Sequence, residues 1–294
     1  MNRRVFLRSA ACAAVMNATF SQAEKSSSKS SVTWPVGAFD RPWVKWDVET
    51  RLRGIREAGF PIVGLLTKSK EEPFVASEAT PEYLDGLRKK IAASGLQAHM
   101  AAIRVPNALP LAEQIKDVRQ QLENARFLGL EFVLTFGVDQ PAHYESYYKV
   151  MADAAAFARE RAIKLVIKPH GGGSGAAEEI LRCLRQVNHP NFKVWYDAGN
   201  IIYYTGKDPL EQLKPIAEHV TGFCAKDCAT TKGDVFIQFG EGKVNFLAVF
   251  QELKRAGFKG PVMLECCKLG DTPEAVTANA QANREYLEKI LASL

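Results

Sequence analysis

The chain has 294 residues, 47% of them hydrophobic, enough for one large domain with a sizeable core and with no apolar run of membrane-spanning length. The formal net charge is +5, but residues 1–23 carry Arg3, Arg4 and Arg8 and no acid, so the remainder carries only +2. With no basic helix and no interleaved aromatic stripe, that balance gives no basis for a nucleic-acid partner.

The N-terminus reads as an address. Asn2-Arg3-Arg4-Val5-Phe6-Leu7 has the form of a twin-arginine export signal. A small-residue stretch from Ser9 to Phe20 and the S-x-A site Ser21-Gln22-Ala23 follow it. Residues 1–23 are therefore expected to be a twin-arginine-type signal peptide, 24–31 a Ser/Lys-rich flexible spacer, and 32–294 the folded body of a periplasmic protein.

From there strand and helix signals alternate. Strands are expected at 32–39, 61–66, 96–103, 131–136, 164–168, 192–197, 221–226 and 261–265. Helices are expected at 47–58, 80–94, 111–128, 143–161, 174–187, 209–219, 245–256 and 272–291. Thr80-Pro81 is a helix start, and Gly59, Gly95, Gly129 and Gly257 are helix stops. Eight such pairs predict an α/β chain folded as a single (β/α)8 TIM barrel, because parallel strands need helical crossovers. No GxGxxG follows the first strand, which argues against an open dinucleotide-binding sheet. Two longer segments, 67–79 and 228–243, interrupt the pattern. The second carries Gly240-Glu241-Gly242, read either as a close backbone approach to a ligand or as an ordinary turn.

Polar groups gather at the ends of the last four strands: Lys168-Pro169-His170, Asp197-Ala198-Gly199-Asn200, Cys224-Ala225-Lys226-Asp227 and Glu265-Cys266-Cys267. In a barrel of this kind the chemistry sits at the C-terminal strand ends. Alternate residues of a strand face one side, so parity places Lys168, His170, Asp197, Cys224, Lys226 and Glu265 together in the mouth. Ionisable groups in a narrow opening are costly to desolvate unless paired or liganded, which makes them candidates for function. Asn200, Lys226, Arg104 and Trp43 are candidate substrate contacts. Of the six cysteines, Cys12 lies in the leader; the other five show no disulfide or zinc spacing and read as small buried hydrophobes.

Residues 32–291 resemble the xylose-isomerase-like TIM barrels, the sugar phosphate isomerase/epimerase superfamily. The resemblance rests on V-I-K-P-H-G-G, Y-D-A-G-N, C-A-K-D, F-G-E-G-K-V-N-F and V-M-L-E in order. It implies one divalent metal held by Glu, Asp, His and Glu from strands five to eight, and sugar isomerisation or epimerisation through an enediolate. Carried over residue by residue, Asp197 and Glu265 match the second and fourth ligands. Lys168 stands in place of the first glutamate and Cys224 in place of the histidine.

Three readings follow. In the first, Lys168 takes the metal's electrostatic role. Lys168, His170 and Glu265 are then catalytic and no metal is needed; a Schiff base on Lys168 is conceivable if burial lowers its pKa. In the second, one divalent ion (Zn, Mn or Mg) is held by Asp197 and Glu265, with His170 and Cys224 completing a rearranged set. In the third, the catalytic site has decayed and the barrel binds sugars or another protein without turnover. The expected partner is a small-molecule carbohydrate, with no nucleic acid and no membrane span; nothing in the pattern specifies an oligomeric state.

Overall fold

The structure is a computed structural model and describes residues 33–69 and 71–294. The expected export signal and spacer lie outside the described residues. Eight strands, β1 (Val36–Phe39), β2 (Ile62–Leu65), β3 (Gln97–Ala102), β4 (Phe132–Thr135), β5 (Lys164–Ile167), β6 (Phe192–Asp197), β7 (Val220–Ala225) and β8 (Val262–Leu264), form a closed barrel in sequential order. The first and last strands meet in parallel, with Val36 opposite Val262 and Ala38 opposite Leu264. The expected single (β/α)8 barrel is the observed fold.

The outer layer consists of α1 (Val48–Glu57), α2 (Pro81–Ser94), α3 (Leu111–Phe127), α4 (Tyr144–Arg159), α5 (Ala177–Val187), α6 (Ala198–Thr205), α7 (Pro209–Leu213), α8 (Phe246–Arg255) and α9 (Pro273–Ala292). Their starts follow capping chemistry. Asp47 accepts from Thr50 N at 2.8 Å, Thr80 from Tyr83 N at 3.2 Å and Thr272 from Ala275 N at 3.2 Å. Each such cap stabilises its helix by about 1 kcal/mol. Among the described residues no helix is long and apolar enough to cross a membrane.

Two elements depart from expectation. The helix expected at 209–219 is α7 followed by a 3-10 helix, Lys214–His219. Pro215 has no amide proton to continue the α ladder. The sequence reading placed no helix at 198–205, where α6 begins directly from β6.

The strands are apolar on both faces because both are covered. Inward residues, among them Phe39, Met100, Val166, Trp195, Cys224 and Met263, fill the barrel. Phe132 and Trp195 pack edge to face at 5.2 Å in its middle. Outward residues such as Leu165, Val194 and Phe223 join the larger core beneath the helices. The interior is a packed plug, so any ligand must enter from a barrel end.

Candidate functional site

The inward row continues past each strand end. One step above Val166 comes Lys168, above Trp195 comes Asp197, above Cys224 comes Lys226, and above Met263 comes Glu265. Above Phe39 comes Arg41, which the sequence reading did not single out. Asp40 fixes that corner. Its carboxylate accepts from Leu66 N at 2.8 Å and from Arg51 Nη1 at 2.9 Å, tying the end of β1 to β2 and α1. Arg41 then opens a short 3-10 turn, Arg41–Trp43, and reaches across the mouth to Glu265.

The five charged groups interlock. Lys168 Nζ lies 3.0 Å from Asp197 Oδ2 and is also hydrogen-bonded to Glu265 Oε2. Lys226 Nζ lies 2.9 Å from Asp197 Oδ2 and 3.2 Å from Glu265 Oε1. At Asp197 Oδ2 both contacts are ion pairs off hydrogen-bond alignment. Cys224 Sγ donates to Glu265 Oε2 at 2.6 Å from below. Three cations thus face two carboxylates, and one positive charge is left over.

Electrostatics follow from the packing. Burial works against the Glu265 carboxylate, but Lys168, Lys226 and Arg41 outweigh it and hold its pKa well below the usual range. Burial also works against the Lys168 ammonium, yet Cys224, Glu265 and Asp197 around it leave its pKa raised. Lys226 is raised in the same way, by Asp197 and Glu265 against burial. Burial pushes the Cys224 thiol well above its ordinary value, and the neighbouring carboxylates push it further. His170 is the reverse case: burial, then Lys168 and Lys226, lower it to about 4. At neutral pH its imidazole carries no charge.

A cavity of about 310 Å³ opens above the cluster, lined by Arg41, His170, Asn200, Tyr204, Lys226 and Glu265 among others. Lys168, Asp197 and Cys224 lie beneath its floor. The Schiff-base expectation for Lys168 is therefore corrected on two counts, a raised pKa and a position outside the cavity wall. Tyr204, on α6, shares a hydrogen bond with the His170 ring, its hydroxyl 3.0 Å from Nε2, and was also missed. Asn200 spends its side chain on Pro169 O at 2.6 Å and its amide on Asp197 Oδ1 at 2.8 Å, yet still faces the cavity.

Trp43 does not reach the site. It is fully buried under α9, with Nε1 donating to Thr277 Oγ1 at 3.1 Å, so its expected role as a sugar platform is corrected. Arg104 pairs with no mouth carboxylate; its guanidinium lies 4.1 Å over the Phe136 ring. The Gly240-Glu241-Gly242 segment approaches Asp227 closely rather than a ligand. That carboxylate accepts from Cys228 N at 2.8 Å, Gly240 N at 2.9 Å, Gly242 N at 3.0 Å and Val244 N at 3.1 Å. The five described cysteines are all buried and free.

The donors can be tested against a divalent ion. Asp197, Cys224 and Glu265 offer ligand atoms within 4.8 Å of one another, but His170 is not part of that group. The same carboxylate oxygens are already met by the ammonium groups of Lys168 and Lys226. An ammonium has no lone pair and repels a cation. The residues present do not fit a divalent site of the expected kind.

Residues 52–290 match the family described as xylose isomerase-like TIM barrel. An L-ribulose-5-phosphate 3-epimerase UlaE of Salmonella heidelberg (strain SL476) is 23% identical over 282 residues, covering 88% of this chain and 95% of that enzyme. Among solved structures, a xylose isomerase-like TIM barrel protein from Mycobacterium smegmatis in complex with magnesium superposes with a TM-score of 0.70 at 17% identity, covering 89% of this chain and 97% of that one. D-psicose 3-epimerase with D-tagatose, from Clostridium cellulolyticum H10, gives 0.70 at 13% identity over 87% and 99%. By the match across most of its length, the chain belongs to the xylose isomerase-like TIM barrel family.

Proposed function

We propose that this barrel isomerises a carbohydrate by moving one proton between adjacent carbons, with no divalent metal. One observation carries the reading. The ammonium groups of Lys168 and Lys226 bridge Asp197 and Glu265, where the family resemblance would put a divalent ion. The relatives named as epimerases of ribulose 5-phosphate and psicose support a sugar as ligand.

The chain's own groups divide the work. His170, neutral and turned to the cavity, accepts the proton from the carbon next to the carbonyl. The C–H electron pair becomes the enediolate double bond. The carbonyl oxygen becomes an oxyanion facing Lys226 and Arg41, which carry the surplus positive charge. Tyr204 accepts the imidazole N–H, which orients the ring and leaves the other ring nitrogen's lone pair to take the proton. Return of the proton from His170 to the neighbouring carbon, with the hydroxyl proton passing between the two oxygens, completes an aldose–ketose exchange with no net redox change. Inverting one carbon would need a second base on the opposite face. The two carboxylates are committed to cations, so isomerisation is favoured over epimerisation. We place the activity outside the cytoplasm, on unphosphorylated sugars, because of the N-terminal twin-arginine pattern.

The commitment of both carboxylates also favours a second reading, a barrel that binds carbohydrate without turnover. One experiment separates them. Chelator-dialysed protein is incubated in D2O with D-xylose, L-ribulose or D-fructose, and deuterium entering the sugar is followed by NMR. The expected result is exchange at the same rate with and without added Mn²⁺, reduced by about 10²–10⁴ in His170→Gln. Saturable binding with no exchange would establish the second reading, and exchange only with Mn²⁺ would overturn the metal-free mechanism.

A further inference from the structure

A second cavity of about 200 Å³ lies between the loops after β3 and β4, lined by Arg104, Asn107, Thr135, Phe136 and His170 among others. His170 belongs to both cavities, so the two are neighbours across one imidazole ring. Phe136 lines this second cavity: its ring packs edge to face with His170 at 4.9 Å between centroids, and its face carries the Arg104 guanidinium at 4.1 Å.

This cavity has the marks of a built site. Gln121, almost fully buried, clamps the Arg104 backbone from both sides, its Oε1 accepting from the amide at 3.0 Å and its Nε2 donating to the carbonyl at 2.7 Å. The guanidinium is exposed, meets no carboxylate among the described residues and reaches only the Ile103 carbonyl, at 3.4 Å. Asn107 Oδ1 on the same wall is buried with no hydrogen-bond partner. A buried acceptor is costly to leave unpaired, and an exposed guanidinium with no carboxylate beside it is free to take one. Both groups are met by a ligand that brings an anion for one and a hydroxyl for the other. A guanidinium is a planar fork that matches a carboxylate with two parallel hydrogen bonds.

We propose that this cavity is a second subsite that takes a carboxylate borne by the carbohydrate, with Arg104 gripping the carboxylate and Asn107 accepting from an adjacent hydroxyl. The inference rests on the reading that the barrel handles carbohydrate, and it makes the preferred ligand a sugar acid rather than a neutral sugar. Arg41 and Lys226 are not the anchors, since Glu265 already pairs with both.

The test compares D-glucuronate with D-glucose by calorimetry and by ligand-detected NMR, with D-glucose 6-phosphate as a third probe. Wild-type protein is expected to bind the uronate about tenfold or more tightly than glucose. The gap should close in Arg104→Gln and survive in part in Arg104→Lys, with melting curves confirming that both variants fold. Equal binding of acid and neutral sugar overturns the subsite, as does a uronate preference that persists in Arg104→Gln. A stronger preference for the phosphate overturns the carboxylate assignment. The outcomes are separable from the isomerase reading. A uronate preference that depends on Arg104, without deuterium exchange into any sugar, leaves the subsite standing while the isomerase reading falls.

Discussion

His170 is held between groups that repel a proton: the ammoniums of Lys168 and Lys226 lie below it, and Phe136 and Tyr204 shield it from water. Its folded pKa of about 4 against about 6.5 when exposed fixes the sign of two pH effects. The base form persists well below neutrality, so the acid limb of kcat/KM is expected near pH 4 rather than near 6.5. In the window between those values the unfolded chain binds a proton that the folded chain refuses. Stability must therefore fall as the pH drops from about 6.5 to about 4. Melting temperatures across that window should decline less steeply in His170→Gln than in the wild type. At this scale the sequence was readable where parity was applied. It brought Lys168, Asp197, Cys224, Lys226 and Glu265 to one mouth, which the structure shows. The same rule extended to β1 would have found Arg41, two residues after inward-facing Phe39. Trp43 was misread because an aromatic near a strand end looks alike in sequence whether it faces sugar or, as here, a helix.

The long segment after β7 is organised by one carboxylate. Asp227 is fully buried and takes four backbone amides, from residues 228, 240, 242 and 244, so the loop is folded around it. That loop supplies Gly233, Asp234, Val235 and Phe236 to the cavity wall, and the Phe236 ring lies 5.0 Å under the Arg41 guanidinium. Asp227→Asn keeps one acceptor oxygen and loses the charge, so it should cost on the order of 3 kcal/mol. It should also open residues 229–243 to limited proteolysis. Gly242→Ala should do the same by another route, because a Cβ there would collide with the Asp227 carboxylate. An Asp227→Asn protein with wild-type melting and proteolysis would show that the loop is held by something else. The two glycines at 240 and 242 were visible in the sequence, but their partner was not. A glycine records that something comes close without recording what. α6 was missed for a related reason: its N-cap is Asp197, a residue already assigned to the site and to the end of β6.

At the scale of the molecule, the regular alternation of strand and helix signals was enough to give the barrel, because each unit announces itself locally through caps and apolar runs. The seam could not be read in that way. β1 and β8 are separated by most of the chain, and Trp34 Nε1 donating to Phe258 O at 2.8 Å ties their two ends together. Neither residue type carries a local sign of that pairing. Removal of β8 and α9 by truncation after residue 260 should leave the barrel open and its apolar interior exposed. A reporter fused to that truncated chain, carrying the native leader, should stay in the cytoplasm if the twin-arginine reading holds, since that route takes folded cargo; the full-length fusion should be exported. Export of both would sink the reading. The seam also has a consequence in time. The 224-residue step from Trp34 to Phe258 takes a ribosome about 10–45 s to make at ordinary rates. Throughout that interval the first strand waits with one edge unmatched. If residues 1–23 carry the proposed address, it is finished first and the contact that closes the body comes almost last, so the newborn chain can be recognised long before it is fit to travel.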